Sequence, residues 1–497
     1  MTMSDAVIVP AGPSGAGRPP TEPIRILLRL TLLELRRSPM PLMLPLVAAL
    51  FWFDALRTGE NLPAIWAQRA SILPNHVLPD VGPIAAGMAA WAGGREQRRG
   101  TGDLATSTAR PRWLRHLASW GGALGWTLLA YAACATAIYL LAARVVLWGG
   151  PPVWPITVTG MAVAAFCTTG FVAGVLLPSR FTPPLAALGT LFVSILVFQS
   201  ALSADHGVTL LSPNNTVPPL DWGIFHPVPP DLFIVQTIFF AGLVLLLLGA
   251  LGLIGSGHRL RTAIAVALAG VAACVAGLAL ASTATRGGDG YEVSALHDAA
   301  SDKAIAYTPD CTQDSAIPVC VHPAFATDLS GASAAFAPLL AEVAGLPGAP
   351  TRVTQIDLAD LPQLTDARDR RAYGQFGAWS TLVTGSNGAA VLEYGFGDPN
   401  AFTEADTVGY LRSQAAQVVI GHVIAPHESP DPAQLAVELA LIRRAGATVD
   451  ASGAAPDQAV TAAAERFAAL SPAQAHAWLA AHLDQLRAGQ ITPQELP

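Results

Sequence analysis

The sequence predicts an α-helical polytopic membrane protein that ends in a C-terminal α+β domain outside the cytoplasm. The 497 residues are 52% hydrophobic and only 13% charged, with a mean hydropathy of +0.44, which excludes an ordinary soluble enzyme of this length. Seven apolar stretches have the length, roughly 17 to 25 residues, at which a helix satisfies its own backbone groups across a hydrocarbon core. Charge is also divided along the chain, with 18 basic and 11 acidic residues up to Gly287 and 10 and 24 after it. The two parts therefore suit different surroundings.

Residues 1–23 are rich in Gly, Pro and small side chains and lack the basic, apolar and cleavage-site order of a signal peptide. They read as a disordered cytoplasmic leader. In residues 24–38, Arg25, Arg29 and Arg36 fall within about 40° of arc at 100° per residue, while Ile26, Leu27, Leu30, Leu33 and Leu35 are apolar. An amphipathic helix in the inner membrane interface is expected there; a basic flank that only sets topology is the simpler alternative. The predicted spans are Pro41 to Leu56, Leu73 to Gly94, Leu117 to Trp148, Pro155 to Leu177, Pro184 to Ser203, Leu232 to Ile254 and Thr262 to Ser282. The first is short and the second carries Asp80 and Pro83, so their edges are the most open to revision.

Orientation follows from arginine in the short loops. Arg25, Arg29, Arg36 and Arg37 precede the first span, Arg95, Arg98, Arg99, Arg110, Arg112 and Arg115 follow the second, Arg180 follows the fourth, and Arg259 and Arg261 follow the sixth. The opposite loops hold Arg57, Arg69 and Arg144, and residues 204–231 contain no basic residue. The N-terminus is expected inside and everything after the seventh span outside, in the plasma membrane of a bacterial cell. Ionisable groups within the spans are scarce: Asp54, Asp80 and Arg144 sit near outer ends, within reach of water. Gln199, Gln236, Tyr131 and Tyr139 either line a path or hold helices together, with packing the default. Cys134, Cys167 and Cys274 read as small packing residues.

Between spans two and three lies Ala89-Ala90-Trp91-Ala92-Gly93-Gly94-Arg95-Glu96-Gln97-Arg98-Arg99-Gly100-Thr101, continuing through Asp103 and Leu104 to Trp113. Arg95, Arg98 and Arg99 offer fixed donors, Glu96 and Asp103 offer acceptors, and Gly100 and Gly102 permit tight turns. A loop that serves only topology and anionic headgroups is the alternative. Placed after an interfacial helix and within six spans, this segment resembles the coupling element of ABC-2 type transporter permease subunits, particularly actinobacterial members. The resemblance covers roughly Ile24 to Ile254. It implies a six-span core at 39–258 with a cytoplasmic coupling element at 95–113, docked to a separate ABC ATPase subunit through Arg95, Glu96, Arg98, Arg99, Gly100, Thr101, Asp103 and Leu104. It further implies a homodimer, or a heterodimer with a second permease, and an exported substrate.

A P-loop on this chain is excluded, because the sole lysine, Lys303, lies in Ser301-Asp302-Lys303-Ala304 without a glycine-rich turn. ATP and Mg are thus expected on the partner, with no cofactor, catalytic residue or metal on this chain. Nothing points to nucleic acid. The seventh span, at 259–283, and the domain at 284–497 depart from the six-span plan. Cys311 and Cys320 are expected to form a disulfide in an oxidising compartment, worth on the order of 2 to 3 kcal/mol; metal binding by the pair with His322 is the alternative. Helices are predicted at Ala334 to Ala344, Thr403 to Val419 and Pro432 to Ala445, and strands at Arg352 to Ile356 and Ala389 to Tyr394. A last helix is punctuated by Ser471 as N-cap, Pro472 at its first position and Gly489 as its stop.

No His-Glu-x-x-His or Gly-x-Ser-x-Gly is present. His422, His427 and Glu428 have the wrong spacing for a zinc helix and are interrupted by Pro426, His476 and His482 lie six apart, and Thr384 to Gly388 reads as a hairpin turn. The function expected is the permease of an ATP-driven exporter. A membrane-anchored sensor or binding protein, acting through its outer domain, is the alternative.

Overall fold

A computed structural model of the chain describes residues 22–60, 62, 64–100, 112–201, 207–213, 223–255, 260–287, 290–299, 302–313, 315–356, 378–384, 388–396, 405–425, 430–448 and 457–497. It is mostly helical, with a small mixed sheet region. Among the described residues, six helices are long and apolar enough to cross a membrane: Met40–Gly59, Arg112–Ala142, Trp154–Leu176, Asp231–Ile254, Leu260–Ser282 and Pro323–Val343. This is a multi-span helical membrane protein.

The first element, α1 (Glu22–Arg37), leaves Leu28 and Leu32 exposed beside Arg25 and Arg29, as an interfacial helix requires. Next come α2 (Met40–Gly59), which includes a π-helical turn at Phe51–Leu56, and α3 (Leu78–Gly93), entered through a second π-turn at Leu73–Val77. The short α4 (Arg95–Arg98) follows. Then come α5 (Arg112–Ala142), α6 (Trp154–Leu176), α7 (Thr182–Ala201), α8 (Asp231–Gly255) and α9 (Leu260–Ser282). Each stretch read as a span is helical over most of its described residues, although α3 and the part of α7 with described side chains, Thr182–Leu196, are too short to be among the six candidates.

Small residues set the packing, since lipid supplies no hydrophobic drive between helices. A Cβ on Gly170 or Gly174 of α6 would fall onto the Ala86 or Ala90 carbonyl of α3, so only glycine permits that crossing. Likewise α9 lies along α8 through Gly242, Gly249, Gly270 and Gly277. The hydroxyls of Tyr131 and Tyr139 donate to the carbonyls of Ile156 and Pro152, and the Gln236 amide donates to those of Leu210 and Ser212. These three polar groups hold the bundle together; the side chain of Gln199 lies outside the described residues.

The helix Pro323–Val343 belongs elsewhere. It breaks at Phe325 (φ −116°, ψ 23°), continues as α10 (Leu329–Val343), and buries Phe336, Leu339 and Val343 in the core of the C-terminal unit. Glu342 near its end pairs with Arg444 at 3.1 Å. It is a core helix of a globular fold.

Between α9 and that unit lies the hairpin β1 (Ala284–Gly287) and β2 (Gly290–Val293), whose Val293 is buried with Leu232 and Val235 of α8 and Ala281 of α9. Strands β3 (Asp310–Cys311), β4 (Val319–Val321), β5 (Arg352–Gln355), β6 (Ala378–Thr384) and β7 (Ala390–Phe396) form a sheet in the order β3-β4-β5-β7-β6. The central pairs are parallel and the two edge pairs antiparallel. Cys311 faces Cys320 across β3–β4 and the two form a disulfide, so neither sulfur is available for the alternative metal site with His322. Helices α10 and α11 (Ala405–Ile424) contact the sheet and each other. Then follow α12 (Pro432–Arg444), α13 (Gln458–Ala468) and α14 (Pro472–Arg487), of which α12 and α14 pack on α10 and α11 while α13 packs on α12. Ser471 caps α14 in a capping box with Gln474, and Gly489 follows at φ +67°. Residues 385–387 of the hairpin turn and 426–429, with His427 and Glu428, lie outside the described residues.

Candidate coupling and docking sites

The membrane unit has distinct features at its two ends. At the arginine-rich end, α3 is pressed so close to α6 that a Cβ on Gly93 would strike the Phe171 carbonyl and one on Gly94 the Gly174 carbonyl. The chain then turns into α4. Arg95 forms an ion pair with Glu34 of α1 at 2.7 Å, and α1 is in turn fixed to α5, where the Trp126 indole donates to the Leu35 carbonyl at 2.8 Å. Arg98 lies over the Trp91 ring, 5.0 Å from its centroid, and donates to the Trp91 carbonyl. Two of the three arginines read as donors for a partner, Arg95 and Arg98, are thus engaged within the chain, binding α1, α3 and α4 into one piece. Glu96 is half-buried; Gln97, Arg99 and Gly100 are exposed, with Gly100 at φ +63°. Thr101, Asp103 and Leu104 lie outside the described residues.

At the other end the loops form a seat for the C-terminal unit. Leu147 N–H donates to the Ala64 carbonyl and Trp66 N–H to that of Trp148, joining two loops; Ile305 N–H donates to the Phe225 carbonyl. Ile65, Ile224 and Phe225 are buried in the same core as the C-terminal sheet and helices. At the centre is His322, fully buried among Trp148, Phe225 and Tyr307 at ring-centroid distances of 4.4, 5.0 and 4.1 Å. Its Nδ1 accepts from Ala324 N–H at 3.1 Å, which puts the proton on Nε2, and Nε2 is buried without a hydrogen bond. Burial holds its pKa down to about 4.

Among the described residues, the membrane unit holds at least two cavities. One of about 650 Å³ is lined by Arg57, Arg69 and Arg144, but Arg69 is occupied by the Gly59 and Leu62 carbonyls. The other, about 550 Å³, is apolar and lies between α3, α6, α7 and α8, with Thr169, Thr190 and Ser194 among its walls. Sequence reading missed the pairing of Asp54 with His76 at 2.9 Å, which joins the two π-turns. It also missed the seat around His322. The signal for the first was a histidine in one predicted span and an aspartate, 22 residues earlier, in the span before it, whereas the seat joins segments far apart in sequence. Elsewhere, His476 Nε2 meets the Ala344 carbonyl and His482 stacks on Trp478.

Comparison with known proteins finds no matching family model, no similar curated protein and no similar solved structure.

Proposed function

We propose that the chain is the membrane-spanning permease subunit of an ATP-driven exporter, worked by a separate ATPase at the arginine-rich end. The observation that carries this reading is the Glu34–Arg95 pair, which locks the interfacial helix to a short helix projecting after α3. A motor pulling on such a projection moves α1 and α3 together, and α3 is in backbone contact with α6. In this reading seven helices cross the membrane, α2, α3 and α5 to α9, with α9 added to a six-span core. The arginine-poor loops and the domain seated on them face outward. The apolar cavity beside α7 suits a hydrophobic cargo with a polar group. Two such chains, or one with a related permease, complete the pathway.

The test is replacement of Arg98, Arg99 and Asp103 together by alanine. Co-purification with a P-loop ATPase subunit is lost if the reading is right, while the protein still reaches the membrane. Unaltered assembly and transport contradict it.

A further inference from the structure

We infer that Glu292, His297 and Asp302 form a binding site for a first-row divalent cation of the zinc class, with buried Asp231 orienting the histidine. The site lies where the outer end of α8 meets the segment that leaves α9. Glu292 is on β2, and the turn after it is closed by His297 N–H donating to the Val293 carbonyl at 2.9 Å, which swings the imidazole back beside the hairpin. Asp302 follows five residues later. One ligand atom from each of the three side chains lies within 4.8 Å of the other two. A cation about 2.0–2.2 Å from each atom needs them closer, at roughly 3 to 3.6 Å, a small closure for half-buried Glu292 and His297 and exposed Asp302.

The independent observation is Asp231. Its side chain has no exposed surface, its Oδ2 accepts from Val293 N–H at 2.9 Å, and its Oδ1 is buried with no partner. A carboxylate so buried is expensive unless positive charge compensates it. It faces the cluster: Oδ2 is 3.4 Å from His297 Nδ1, which is also buried without a hydrogen bond, while Nε2 on the other side of the ring is 2.9 Å from Asp302 Oδ1. A histidine that binds metal through one ring nitrogen gives its other N–H to a carboxylate, and that second contact fixes the tautomer. Asp231 is in place for that role. One imidazole and two carboxylates suit zinc or its first-row neighbours; magnesium and calcium prefer all-oxygen shells. The bound cation ties the top of α8 to the base of the outer domain. The inference does not rest on the exporter reading.

The experiment uses the full-length, untagged protein in nanodiscs, stripped with EDTA and titrated with Zn²⁺ against a chromophoric chelator. One zinc per chain is expected, unaffected by millimolar Ca²⁺. His297→Gln and Glu292→Gln are expected to weaken binding at least about 100-fold, and Asp231→Asn about 10- to 100-fold. Should Asp231→Asn fail to fold, Glu292→Gln, at the half-exposed hairpin, still decides the matter. Zinc bound equally by the wild type and both glutamine variants overturns the site, as does absence of zinc binding at micromolar concentration.

Discussion

His322 combines two properties that rarely persist together, full burial and a ring nitrogen without a partner. The surrounding rings of Trp148, Phe225 and Tyr307 offer no carboxylate to a charged imidazole, so the folded state keeps it neutral down to a pKa of about 4, against 6.5 for the free side chain. The unfolded chain takes up the proton first as pH falls. The seat therefore has its full stability above about pH 6.5 and loses it progressively down to about pH 4, by up to about 3 kcal/mol. Thermal unfolding of wild type and His322→Asn across that range checks this: asparagine keeps the N-cap acceptor, and the variant is expected to lose the histidine's share of the acid sensitivity. Identical pH profiles contradict it. At this scale the sequence was partly readable. The short spacing of Cys311 and Cys320 announced the disulfide, whereas nothing near His322 announced rings from residues 148 and 225.

Among the elements, apolar length made the helices in all seven stretches read as spans legible, with boundaries moved by a few residues. The C-terminal unit was less so. Strand β4 is a three-residue buried run with no alternation to read and β6 mixes Ser and Thr among apolar residues, whereas α13 does carry a helical spacing, Val460, Ala463, Ala464 and Phe467, that the sequence reading passed over. Helix contacts were not legible either, because a glycine in an apolar stretch does not say which neighbour it admits. The α3–α6 crossing makes that testable. Gly174→Val is expected to cost about 3 kcal/mol, since its side chain meets the Ala90 backbone. Gly189→Val on α7, where an added Cβ meets nothing within 4 Å, is a matched control. Unfolding midpoints in nanodiscs that fall for the first and hold for the second support the crossing; equal midpoints contradict it.

For the whole molecule, the loops poor in arginine carry the domain and the arginine-rich end carries the braced projection, so a single orientation serves both. Exposed Lys303 and Gln97 mark the two sides. Lys303→Cys is expected to react with an impermeant maleimide in intact cells, and Gln97→Cys only after permeabilisation; the reverse pattern inverts the topology. The charge asymmetry and the missing P-loop lysine were legible in the sequence. The bracing of Arg95 by Glu34 was not, because the two are 61 residues apart and Glu34 sits in a helix read for its arginines. The central claim is that an ATPase grips the chain beside α4, and a photo-crosslinking residue placed at exposed Arg99 in living cells tests it most directly. The account predicts an adduct whose second chain carries a Gly-Lys-Ser/Thr P-loop, absent when the same residue replaces Arg144. No P-loop protein at Arg99, or the same adduct from both positions, contradicts it.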